Sequence, residues 1–190
     1  MKRAPLSEAT DEHLIAQSRE GDRAAFGELI ARYQVQVYHY SRRLLGNHDA
    51  AQDITQDVFI KAFMALNTWQ PTAAFAAWLL RIARNACLDL LRGRQRFPSD
   101  NLDDHIEQLA SRTPSAEQQV MQAQQMEQLE QAILKLSLEH REVVILRDIE
   151  GFSYQQLADI LDINTGTVRS RLSRARAALM QQLNKGASYD

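Results

Sequence analysis

The sequence predicts an all-α protein: two small helical domains joined by a flexible acidic linker, the C-terminal domain being a helix-turn-helix. Three observations carry this. Apolar residues recur at steps of three and four through most of the chain, with no sustained period-two alternation and no hairpin turn pair. That periodicity fades between Gly93 and Pro114. Near the C-terminus, two short amphipathic patterns are separated by only three residues. With 190 residues, 45% hydrophobic and 24% charged, the chain suits a globular protein of one ordinary domain or two small ones.

After Asp22, a good N-cap, the residues Phe26, Leu29, Ile30, Tyr33, Val37, Tyr40 and Leu44 form one helical face, which stops at Gly46 and Asn47. Asp49 opens the next helix, with Ala51, Ile54, Val58, Ala62 and Leu66 inward. A third helix is expected from about Ala73 to Arg92, with Phe75, Trp78, Leu79, Ile82 and Ala86 inward. The stretch GRQRFPSDNLDDHIEQLASRTP then brings two prolines and an acidic bias. At about twenty residues it is longer than compact domains usually tolerate. It divides the chain into a front domain, 11–96, a linker, 97–114, and a rear domain, 115–184.

The rear domain opens on a capping box, Ser115 with Gln118, and a glutamine-rich helix whose inner stripe is Val120, Leu129, Ile133 and Leu136. Ser137 is the N-cap candidate of the next helix, which carries Val143, Val144 and Leu146 and is closed by Gly151. A second capping box, Ser153 with Gln156, starts a short helix with Leu157, Ala158, Ile160 and Leu161. Asp162, Ile163 and Asn164 interrupt the pattern, and Thr165 is read as the cap of the last helix.

That last helix, TGTVRSRLSRARAAL, holds four arginines, two serines and no acid. Val168, Leu172, Ala175 and Leu179 fall within a sector of about 60° that faces a core. On the other side Gly166, Ser170, Ser173 and Ala177 form a low ridge, with Arg169 and Arg174 on its shoulders and Arg171 and Arg176 nearer the core edge. Small residues allow close approach to a surface, and arginines beside them can fork onto guanine edges or reach phosphates. Two short helices, a three-residue turn and a second helix so equipped make a helix-turn-helix whose recognition helix lies in the DNA major groove.

The net charge of −2 argues against a nucleic-acid binder, but its distribution argues for one. Residues 165–185 hold five basic residues and no acid, and residues 81–96 hold five arginines against Asp89, whereas residues 97–130 hold seven acids against Arg112. Local basic patches set phosphate affinity. The single cysteine, Cys87, excludes an internal disulfide. The five histidines are scattered, so neither a metal site nor a cofactor is expected, and no Walker, nucleophile-elbow or HExxH motif points to an enzyme. No apolar run approaches the ~20 residues of a membrane span. Residues 1–14 hold no hydrophobic signal core, so no membrane insertion and a cytoplasmic location are expected.

Two features of the front domain ask for more than packing. In DAAQDITQDVFIKAFMAL, Asp53 and Asp57 lie one turn apart with Gln56 beside them, an acidic face suited to a basic partner. In TWQPTAAFAAWLLRIARNACLDLLRGRQR, Arg81, Arg84, Asn85 and Arg92 are placed on or near one exposed side, after a loop that contains Trp69. Arginines beside an aromatic suit single-stranded nucleic acid, with Trp69 as the stacking candidate and Phe75 and Trp78 in the core.

The order DxxQDVFIKAF, FAAWLLRIARNACLDLLR, acidic linker and EHREVVILRDIEGFSYQQLADILDINTGTVRSRLSRARAAL resembles the extracytoplasmic-function (ECF, group 4) sigma factors of bacterial RNA polymerase, over roughly residues 11–184. The resemblance implies no catalytic chemistry. It implies a front domain that binds core polymerase and recognises and melts the −10 promoter element, and a rear domain that reads the −35 element. By similarity, Asp53, Gln56, Asp57 and Phe59 match the segment that docks on the β′ coiled coil. Trp69 to Ala74, with Gln70 and Thr72, match the loop that receives a flipped base, and Asn85 matches a position near it. Arg169, Ser170, Ser173 and Arg174 match the −35 reading helix, and Thr165, Arg171 and Arg176 on the same helix are candidate −35 DNA contacts with them. The implied partners are the polymerase core (β′ coiled coil and β flap), promoter DNA and an anti-sigma factor.

Two other readings compete. A stand-alone helix-turn-helix regulator, binding operators as a dimer, explains residues 137–184 but leaves the acidic helix and the Trp69 loop without a role. A nuclease using Asp53 and Asp57 as metal ligands lacks the converging carboxylates that such sites need.

Overall fold

The computed structural model describes residues 5–96 and 126–186, and all regular structure among them is helical. The expected linker, the Ser115 capping box and Val120 lie outside the described residues. In chain order the helices are α1 (Asp11–Arg19), α2 (Arg23–Leu45), α3 (His48–Ala65), α4 (Phe75–Arg96), α5 (126–134), α6 (Leu138–Val144), α7 (Tyr154–Leu161) and α8 (Thr165–Gly186). Short 3₁₀ turns occupy Leu6–Glu8 and Leu66–Thr68, and a π-helical turn spans Ile145–Ile149. The bulk of α1 to α4 forms one compact unit, and α5 to α8 belong to another.

In the first unit the caps follow side-chain chemistry. Thr10 Oγ1 accepts the His13 amide at 3.3 Å, and Asp22 Oδ1 accepts the amides of Ala24 and Ala25 at 2.9 and 3.3 Å. The apolar stripes close into a core of Leu14, Leu29, Val37, Ala51, Val58, Ala62, Leu79 and Ala83, all buried. Ile30, Tyr33, Trp78 and Ile82 are only half-buried. Helix α4 starts two residues later than expected, because the Ala73 amide is turned back onto the Gln70 carbonyl (3.4 Å) and the Ala74 carbonyl is the first to accept helical bonds.

In the second unit α8 packs against α6 and α7, burying Val168, Leu172 and Ala175. The Ser153–Gln156 capping box is present with both bonds made, at 3.2 and 2.8 Å. Helix α7 ends on Asp162 in the left-handed conformation (φ 56°), which aspartate tolerates better than most residues. Two details differ from the sequence reading. The helix after Ser137 does not remain α-helical: from Ile145 it widens by one residue, with the Glu150 amide bonded to the Ile145 carbonyl at 2.9 Å. The cap of α8 is Asn164, not Thr165, since Asn164 Oδ1 accepts both the amide and the hydroxyl of Thr167 at 2.8 and 3.0 Å. A cap accepts from residues two or three ahead, and here the turn ends one residue earlier than expected.

This cap is testable. Replacing Asn164 with Ala should cost the second unit about 1 kcal/mol, read as an about fivefold rise in hydrogen exchange at the Val168 and Leu172 amides. Thr165→Ala should leave those amides unchanged; an equal effect would restore Thr165 as the cap.

Candidate nucleic-acid interface

The second unit presents the basic helix as the helical wheel requires. Gly166, Ser170, Ser173 and Ala177 are exposed along α8, between Arg169 and Arg174, which are also exposed. The four arginines differ in what already holds them. Arg176 is clamped bidentately by Asp148 at 3.0 and 2.5 Å, a bond that raises its pKa. Arg171 is half-buried and pairs with Glu139 at 3.4 Å. Arg174 has no ion pair or side-chain hydrogen bond among the described residues, and Arg169 has only a ring contact. The shoulders of the ridge are therefore available to a ligand, while the two arginines at the core edge are engaged within the protein. Thr165 is half-buried in the first turn, and Ser170 Oγ donates to the Thr167 carbonyl at 3.0 Å.

The π-helical turn supplies one of these contacts and anchors its own end. From it Asp148 reaches Arg176, and Arg147 donates to the Phe152 carbonyl at 2.7 Å. The Tyr154 ring has the Arg147 guanidinium 5.1 Å from its centroid and that of Arg169 at 6.0 Å. These distances are within cation–π range, so a half-buried tyrosine at the start of α7 steadies a recognition-helix arginine.

In the first unit Asp53, Gln56 and Asp57 are exposed on α3, and no cation pairs with either carboxylate among the described residues. Phe59, expected beside them, instead faces the core with 7% exposure. The large apolar residues exposed on α3 are Ile60, Phe63 and Met64, which the inward stripe of the sequence does not mark. A signal was present: positions 53, 57, 60 and 64 follow one another at helical spacing, so Ile60 and Met64 continue the acidic stripe. Beside Gln56 a shallow groove opens between α2 and α3, lined by Val35, Tyr38, His39 and Gln52 among others.

The tryptophans are exchanged relative to expectation. Trp69 is buried, 4% exposed, with its ring edge-on to Phe75 at 6.1 Å. Trp78, expected in the core, is half-buried against Phe75 at 5.5 Å. The Trp69 ring is therefore not a surface for stacking in this state; what the loop exposes is Gln70, Pro71, Thr72, Ala73 and Ala74. On α4, Arg81, Asn85 and Arg92 are exposed and follow Trp78 at helical spacing, so the four share one side. Arg84 is half-buried about a third of a turn away. Arg92 lies 3.4 Å from Asp89, an exposed pair that holds it only weakly.

Residues 29–97 match the Sigma-70 region 2 family and residues 126–179 match Sigma-70, region 4. The ECF RNA polymerase sigma factor SigW of Bacillus subtilis is 33% identical over 89% of this chain and 94% of its own length. The chain belongs to the ECF sigma factors. The sigma-E factor of Escherichia coli K12 is 34% identical over 90% of this chain and 92% of its own. SigE of Mycolicibacterium smegmatis is 36% identical, and this chain spans 66% of its length. Among solved structures, the sigma factor RpoE of Bartonella quintana, in complex with the anti-sigma factor NepR, matches 84% of this chain and 96% of its own with a TM-score of 0.70 at 29% identity. CnrH in complex with the cytosolic domain of CnrY matches 92% and 97% with a TM-score of 0.68 at 28% identity.

This sigma factor thus belongs to a class of non-catalytic transcription initiation factors. Among the described residues no group of acids, histidines and cysteines is placed to hold a metal ion, and no helix is long and apolar enough to cross a membrane.

The engaged state of Arg176 has a measurable consequence. Asp148→Asn should release it toward phosphate, tightening promoter-duplex binding at low salt and steepening the log–log salt slope by about 0.9, one phosphate contact. An unchanged slope, read by fluorescence anisotropy, would place Arg176 away from the DNA backbone.

Proposed function

We propose that this sigma factor carries its three interactions on three separate surfaces. Residues 11–96 form the domain that binds core polymerase and opens the −10 element, residues 97–114 the acidic linker, and residues 115–184 the −35 reader. Asp53, Gln56 and Asp57, extended by Ile60 and Met64, dock on the β′ coiled coil, this acidic and apolar stripe being suited to a partner surface of basic and apolar character. Phe59 supports that face from beneath. The exposed loop Gln70–Ala74 receives a base extruded from the −10 element, with Gln70 and Thr72 as its polar side chains. Trp78, Arg81, Asn85 and Arg92 line the adjacent strand path, where aromatic surface and guanidinium groups suit unpaired DNA. Trp69 and Arg84 stand behind this surface.

In the rear domain Arg169 and Arg174 read base edges across the low ridge of Ser170 and Ser173. Thr165 marks the N-terminal end of the reading helix, and Arg171 and Arg176 reach flanking phosphates once DNA competes with Glu139 and Asp148. The observation that carries this reading is the coexistence of uncommitted cations on α8 with an unpaired acidic stripe on α3, in a chain of this family. The protein acts in the cytoplasm with polymerase core, the β flap included, and an anti-sigma factor holds it inactive. Support for that last partner is that RpoE, of similar fold, was solved with an anti-sigma factor.

Transcription in vitro from genomic promoter fragments, with purified core polymerase and with or without this protein, tests the whole reading. Discrete transcripts that need both are expected; their absence, together with no co-elution with core, would leave the stand-alone regulator. Replacing Asp53 and Asp57 with Lys should abolish competition for core without unfolding the exposed face, and a double variant that still competes would move the docking surface elsewhere. Arg174→Ala should weaken recognition at one −35 position by about 1–3 kcal/mol. A uniform loss across all sequences would make it a phosphate contact instead.

A further inference from the structure

Arg19, the last residue of α1, forks onto the root of the loop between α3 and α4. Its Nη2 donates to the carbonyls of Leu66 at 2.8 Å and Trp69 at 2.5 Å, and its Nε donates to Leu66 at 3.3 Å. The guanidinium lies 5.9 Å from the Trp69 ring centroid, and that ring is held edge-on by Phe75. One side chain, 47 and 50 residues away in sequence, thus fixes both ends of the Leu66–Trp69 turn. Beyond it the loop has little to order it. Its next internal bond is Ala73 to Gln70 at 3.4 Å, and Gln70 to Ala74 are all exposed. Among the described residues no side chain other than Arg19 reaches the loop backbone from another element.

We propose that Arg19 is a positioning residue for −10 recognition: without touching DNA, it sets where Gln70–Ala74 stand when they receive a base. The proposal rests on the loop having the role assigned above. A base-reading loop discriminates only if its backbone is already in place, since a displacement of about 1 Å at such a site is costly. The planar fork of arginine spans two carbonyls at once, while the ammonium of lysine is a single point and cannot hold the same pair with the same geometry.

The test uses the full chain. In the free protein, Arg19→Ala should speed hydrogen exchange at the Trp69 and Ala73 amides about tenfold and leave the buried α3 amides at their ordinary rate. With core polymerase and a promoter pool randomised through the −10 element, the same variant should flatten −10 base preference several-fold at unchanged core affinity and unchanged −35 preference, with Arg19→Lys intermediate. A loop variant, Gln70→Ala with Thr72→Ala, is run in parallel. If it shifts −10 preference while Arg19→Ala does not, the positioning role is overturned and the loop reading stands. If the loop variant itself leaves −10 preference as in wild type, the loop reading fails and the proposal falls with it. Loss of core affinity in step with −10 preference would make Arg19 a general stabiliser of the first unit and would likewise overturn it.

Discussion

The fold rests on how the turns between helices dispose of their backbone carbonyls. Carbonyls in such connections lack intrahelical partners, and a chain built of helices meets that cost at every turn. Here arginines absorb part of it. Arg19 takes the carbonyls of Leu66 and Trp69, Arg32 those of Leu6 and Ser7, Arg141 those of Leu134 and Leu136, and Arg147 that of Phe152. Arg32 also joins Asp11 and Glu28 at 2.9 and 3.1 Å, tying α1 to α2. Alongside it the Tyr33 phenol donates to Asp11, its pKa pushed up by burial and by that bond. A guanidinium suits this work because its five donors reach two or three oxygens at once and its stem packs against apolar neighbours.

The same residue type makes up the candidate nucleic-acid face, and this limits what sequence alone separates. Helical periodicity marked the core sides of α2, α3, α4 and α8, because a buried stripe is written directly into spacing. The helix-turn-helix was equally legible, since its capping box and short turn are local chemistry. The state of each arginine was not. Arg169, Arg171, Arg174 and Arg176 differ only in whether Glu139, Asp148 or Tyr154 stands within reach, and those partners come from α6, α7 and the turn between them. The π-helical turn that aims Asp148 has no signature in the apolar pattern.

The exchange of Trp69 and Trp78 has the same origin. A tryptophan in a loop beside proline reads as exposed, and one on a helical apolar stripe reads as buried. The loop is instead drawn inward at its root by Arg19, and its indole fills the space beside Phe75, leaving Trp78 at the edge. Periodicity reports which side of a helix is apolar; it does not report how far a neighbouring loop covers that side. Phe59 and Ile60 show the complementary case: adjacent apolar residues on α3, one in the core and one 54% exposed, of which only the second is open to a partner.

In the reading proposed above, this division of labour makes promoter recognition conditional. With Arg171 and Arg176 paired to carboxylates at the surface, two uncommitted arginines on α8 give a small phosphate and base footprint, and each neutralised phosphate contributes its own salt-dependent increment to affinity. Such a footprint binds duplex DNA weakly by itself. Single-stranded −10 contacts are likewise weak until the strand is unpaired. Holding both surfaces on one polymerase turns two weak encounters into an intramolecular pair, whose avidity exceeds either affinity without any new contact. The carboxylates that occupy Arg171 and Arg176 therefore serve specificity as well as stability: by lowering affinity for DNA in general, they leave docking of the acidic α3 face on core as the step that makes promoter binding strong.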